Sequence, residues 1–83
     1  MMVIKLPKFL DTHKRMGLNE ETLKTMQNAP KDEFGVKHIN MFYSDNEDKL
    51  FCLLDAPNKE AVMKHHEKAG VKPDWITEVK TTV

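Results

Sequence analysis

Leu50-Phe51-Cys52-Leu53-Leu54, five consecutive apolar residues between Lys49 and Asp55, is the stretch that most restricts how this chain can fold. It is short for a helix, and a strand sends alternate side chains to opposite faces, so a strand here needs cover on both sides. With 83 residues one domain spanning 1–83 is the economical arrangement, and a chain of that size buries only about 60 to 65% of its unfolded surface. Helices are expected to cover one face of this strand. A second copy of the chain, packed sheet to sheet, is expected to cover the other.

The remaining punctuation supplies those helices and the neighbouring strands. Val3 to Lys14 alternates imperfectly, and a strand starting near Pro7 puts Asp11 and His13 on one face. Asn19 followed by Glu20 and Glu21 forms a helix start with acidic residues in the first turn. This helix is expected from Glu20 to about Gln27; Pro30 either stops it near Asn28 or lets it restart as a short turn through Lys31 to Phe34. Val36 to Tyr43 predicts a second strand, with His38 sharing a face with Asn40 and Phe42, and Ser44 to Asp48 a polar hairpin loop.

Pro57-Asn58 opens a second helix with Ala61, Val62, His65 and Ala69 as its inward stripe, His66 leaning to the flank with Met63, and Gly70 as a left-handed cap. Trp75 to Val83 provides the last strand. Strand, helix, strand, strand, helix, strand is the α+β ferredoxin-like βαββαβ order: a four-stranded antiparallel sheet with two helices on one face. By analogy with that fold, the first strand lies between the third and fourth, bringing Asp11 and His13 beside Cys52. Two such sheets face to face form a dimeric α/β barrel.

Thirteen basic residues balance thirteen acidic ones, and no run of five like charges occurs, so the electrostatic footprint of a nucleic-acid binder is missing. No apolar stretch approaches the roughly 18 residues of a membrane span, and the N-terminal segment lacks a signal peptide's apolar core. Together with a single cysteine, which suits a reducing compartment, these features lead to the expectation of a cytoplasmic protein without membrane or nucleic-acid partners.

Cys52 offers a thiolate, and His13, His38, His65 and His66 offer imidazoles, a donor set suited to Zn, Ni, Cu or Co. Spacing alone does not single out a site. There is no Cys-x-x-Cys pair, and the adjacent His65 and His66 point about 100° apart on a helix. Cys52 is equally at home as a small buried hydrophobe, and each histidine as a surface or core residue. No Ser-His-Asp order, phosphate-cradling glycine loop or pair of inward carboxylates can be assembled.

Pro7-Lys8-Phe9-Leu10-Asp11-Thr12-His13, followed by Gly17-Leu18-Asn19-Glu20-Glu21, resembles the opening of the small nickel-binding, ferredoxin-like proteins long carried as a domain of unknown function. Phe51-Cys52-Leu53, the run Ala56 to Met63, and His66-Glu67-Lys68-Ala69-Gly70 extend the likeness from Leu6 to Val79. The resemblance implies a homodimer, joined through its sheet faces, that binds a nickel ion, with zinc or copper as competitors. Carried over residue by residue, it implies His13, Cys52 and His66 as ligands, with Asp11 as an oxygen ligand or supporting partner. It thereby favours His66 over His65. The family usually shows a histidine directly after that Ala-Gly, where this chain has Val71, and Gln27 to Glu33, with its Pro30, fits the family's longer first helix poorly.

The function that follows is a non-catalytic nickel store, buffer or sensor. The alternatives are a small dimeric-barrel enzyme of monooxygenase or isomerase type, with His13 or His38 as acid or base beside a pocket between sheet and helices, and a pure dimerisation module.

Overall fold

The computed structural model describes residues 6–82, so Val3 to Lys5 of the expected first alternation, and Val83 of the expected last strand, lie outside the described residues. The elements follow in the order β1 (Lys8–Lys14), α1 (Glu20–Asn28), β2 (Lys37–Ser44), β3 (Lys49–Asp55), α2 (Lys59–Ala69) and β4 (Trp75–Val79). The four strands form one antiparallel sheet in the order β2-β3-β1-β4. This is the ferredoxin-like α+β fold.

Capping decides where both helices begin. The side chain of Asn19 accepts from the Thr22 N–H at 2.9 Å, and that of Asn58 from the Ala61 N–H at 2.8 Å, each cap stabilising its helix by about 1 kcal/mol. At the other end of α1, Ala29 turns extended (φ −64°, ψ 146°), as the residue before a proline prefers. The Lys37 ammonium then donates to the Gln27 and Ala29 carbonyls at 2.9 and 2.7 Å, satisfying groups that the broken helix leaves open. Both expectations at Pro30 are met in part: α1 stops at Asn28 and a short turn, not a resumed helix, forms before Gly35. A turn built on Asp32 follows, its carboxylate accepting from the N–H groups of Phe34 and Val36, both at 2.9 Å.

The core lies between helices and sheet. Leu50, Cys52 and Leu54 of β3 are 0, 2 and 0% exposed, and they pack with Phe9 of β1, Leu23 of α1, and Ala61 and Val62 of α2. The alternate residues Phe51 and Leu53 are only half-buried. They share the opposite face with Leu10, Asn40 and Phe42, so helices from the described residues cover one side of β3 alone.

Two expectations about side-chain direction are corrected. The pairing of β2 with β3 shifts between His38 and Asn40, a bulge that adds one residue and reverses the alternation. His38 therefore faces the helices with Leu54, whereas Asn40 and Phe42 face away. On α2 the buried residues are Ala61, Val62 and His66, while Ala69 is exposed. The inward stripe is narrower than expected and includes His66 rather than leaving it on the flank.

Candidate metal centre

Two donors come from β1, whose alternation sends Asp11 and His13 to the helix-covered face. Asp11 lies opposite Cys52 on β3 and Ile76 on β4, in the middle of the sheet, and is 0% exposed. The third donor, His66, follows Val62 by one helical turn and so points inward with it. The end of α2 is fixed just beyond. Gly70 adopts φ 71°, and the Val71 N–H donates to the His66 carbonyl at 2.9 Å, closing a left-handed cap that only glycine adopts without strain.

One donor atom from each of Asp11, His13 and His66 falls within 4.8 Å of the other two, and all three residues are buried. His66 Nε2 stands 3.2 Å and His13 Nε2 3.9 Å from Asp11 Oδ1, with the two rings edge to face at 5.6 Å. The hydrogen bonds on the far sides of the rings decide what these atoms present. His13 Nδ1 lies 2.7 Å from the Lys14 carbonyl, and His66 Nδ1 2.8 Å from the Val62 carbonyl. A carbonyl oxygen only accepts, so each Nδ1 carries a proton and each Nε2 points toward Asp11, where a ring without a second proton offers a lone pair.

Asp11 is left unsatisfied by this arrangement: neither carboxylate oxygen accepts a hydrogen bond from a described residue. The 3.2 Å contact to His66 lies within hydrogen-bond distance without making a hydrogen bond, and it becomes charge attraction only when Nε2 takes up a proton. Burial pushes the His66 pKa down, but contact with and attraction to the Asp11 carboxylate, with the Val62 carbonyl bond, outweigh burial and raise it. A buried, unpaired carboxylate is costly. Two Nε2 atoms and a carboxylate converging on one point are relieved by a cation there.

The donor set fits a divalent metal. Ligand atoms about 2.1 Å from a common ion stand about 3.0–3.4 Å apart, so the His66–Asp11 separation of 3.2 Å already fits and the others close by about 1.4 Å or less. The carbonyl behind each histidine is the outer partner that fixes tautomer and ring direction in metal sites. Cys52 faces the same side as Asp11, but its sulfur is not among the donor atoms that gather within 4.8 Å. Burial, and then the Asp11 charge, push its thiol well above the usual range, so without a cation it is a neutral S–H.

His38 and His65 stand apart from the three but continue the array. Ring centroids are 5.4 Å apart for His65 and His66 and 5.2 Å for His38 and His65. His65 Nδ1 donates to Asp32 at 2.6 Å. Sequence reading did not single out Asp32, because it sits in a loop 33 positions from His65 and no spacing rule connects them. Burial of Asp32 opposes its charge, but the His65 bond and the two backbone donors outweigh it and lower its pKa.

The family described as nickel responsive protein, SCO4226-like, matches residues 9–79. Among solved structures, the crystal structure of SCO4226 from Streptomyces coelicolor A3(2) is similar, with a TM-score of 0.72 and 29% identity over 92% of this chain and 99% of that one. Comparison with curated proteins finds no match.

Proposed function

This chain belongs to the SCO4226-like family of nickel responsive proteins, and on that premise we propose that it binds nickel through Asp11, His13 and His66 as a non-catalytic store, buffer or sensor. The observation that carries this reading is the buried Asp11 carboxylate, without a hydrogen-bond partner and faced by two Nε2 atoms. When bound, nickel supplies the positive charge that this cluster lacks. Asp11 supplies a hard oxygen and the imidazoles borderline nitrogens. Copper and zinc compete for the same donors. Cys52, on the same face as Asp11, would add a thiolate to these donors if a bound cation offset the preference that burial imposes.

In this reading the 83 residues act as one cytoplasmic domain and pair as a homodimer through the open sheet face. No helix among the described residues is long and apolar enough to cross a membrane. Phe42 is 54% exposed and lies beside half-buried Phe51, Leu53 and Leu10. A contiguous apolar face of this kind marks an interaction surface. Sedimentation at micromolar concentration should give the dimer mass for the native chain and the monomer mass for Phe42→Lys, with metal binding within each monomer retained. A native chain that sediments as a monomer would remove the dimer from this reading.

The metal site is tested by thermal melting of metal-free protein with and without Ni²⁺, Zn²⁺ and Cu²⁺, repeated on His13→Ala, His66→Ala and Cys52→Ser. A ligand at about 100 times its dissociation constant adds about 2.7 kcal/mol, several degrees of melting temperature in a chain this size. Loss of the nickel-dependent rise in both histidine variants is expected. A rise that survives both would place the ion elsewhere, and no rise with any metal would sink the proposal.

A further inference from the structure

A cavity of about 550 Å³ opens between α2 and β4, lined by His66 and with Met63, Trp75 and Ile76 along its length. Met63 is 54% and Trp75 43% exposed, so two large apolar side chains are left in water beside one concavity, the pattern of a small-molecule site. Lys59 and Lys72 line the same cavity, and neither forms an ion pair among the described residues. Glu67 contributes one carboxylate against these two ammoniums, leaving an excess of positive charge. A neighbouring hollow of about 530 Å³ shares Lys59 and Ile76 but is lined by Glu78 as well, so the excess of positive charge belongs to the first cavity alone.

We propose that this groove binds a small aromatic carboxylate, its flat ring against Trp75 and Met63 and its carboxylate drawn to Lys59 and Lys72. The lining selects the class. An indole face and a thioether favour a flat apolar body, and the volume is in the range of sites for small organic ligands. The lysines are point charges without the planar fork of arginine, and among the lining residues there is no arginine to clamp a phosphate in two places. An anion without an apolar body would leave the Met63, Trp75 and Ile76 surface wet. The inference does not need nickel, because the ring and charge contacts use Met63, Trp75, Lys59 and Lys72, although His66 borders both sites.

Trp75 is the one tryptophan of the chain, so its fluorescence reports occupancy directly. Metal-free full-length protein is titrated with 2-naphthoate and, separately, with neutral 2-naphthamide, following Trp75 emission and the heat of binding. Saturable quenching by 2-naphthoate is expected, with the amide about 5–20-fold weaker if both ammoniums contribute. Lys59→Gln and Lys72→Gln should each weaken 2-naphthoate by about 2–5-fold and leave the amide unchanged. Met63→Glu, at an exposed position that the fold does not need, should abolish binding of the acid while the circular dichroism spectrum stays native. Equal binding of acid and amide, indifference to both lysine replacements, or no saturable quenching overturns the proposal. So does binding that appears only on dilution, which would assign the groove to a second copy of the chain.

Discussion

The four histidines form two pairs that differ in what stands behind each ring. In the inner pair, His13 and His66 give their Nδ1 protons to backbone carbonyls and turn Nε2 toward a buried carboxylate. In the outer pair, His65 gives its Nδ1 proton to the Asp32 carboxylate, which lies behind the ring rather than in front of it. His38 is held neutral, its pKa pushed down to about 4, first by burial and then by His65. The residue type is the same in both pairs. Placement of the carboxylate decides whether imidazoles gather around an unpaired negative charge or form part of a satisfied hydrogen-bond network.

Exchanging one carboxylate at a time breaks the comparison at its strongest point. Asp11→Asn should lose nearly all of the nickel-dependent stabilisation, about 2.7 kcal/mol at 100 times the native dissociation constant, because an amide brings no charge to the cluster. Asp32→Asn should keep it to within about 0.5 kcal/mol, since the turn and the His65 bond both accept an amide oxygen. Melting of both variants with and without Ni²⁺ checks this. Equal losses in the two would mean that the inner and outer pairs act as one site.

The fold was legible because its signals are local. Five apolar residues in β3, asparagines before α1 and α2, and Gly70 after α2 each act within a few positions, and each element stands where those signals place it. The site was legible only in its residue types. Asp11 and His13 share a strand face by alternation, but bringing His66 to them depends on β1 being central, which fold analogy supplied and periodicity did not. His38 parts from Asn40 and Phe42, whose face alternation alone gives it, because the bulge at Ile39 adds a residue that no glycine or proline announces. On α2 the pattern extended the stripe to Ala69, yet the sheet covers only the turn from Ala61 to His66, so the helix leaves the core before Ala69 reaches it. Asp32 was invisible because its partner is set by tertiary contact alone.

The outer pair makes a smaller, pH-dependent contribution of opposite sign to that of His66, whose pKa is raised. His38 has a folded pKa of about 4 against an ordinary 6.5; after burial and His65, Lys37 and His66 lower it further, while only Asp11 opposes. Its folded pKa lies below the unfolded one, so its neutral form adds no penalty above pH 6.5. As the pH falls from about 6.5 toward 4, the unfolded chain takes up a proton that the folded chain refuses, and stability drops by about 2 kcal/mol after allowing for partial solvent screening. Urea unfolding of metal-free protein across that interval, compared with His38→Gln, isolates the effect, because carboxylates that titrate near its lower end are common to both proteins. The native chain should lose more stability than the variant, with most of the difference developed by pH 4.5. Parallel curves would mean that His38 takes up its proton in the folded state as readily as in the unfolded one, and that the outer pair is hydrated rather than held neutral by packing.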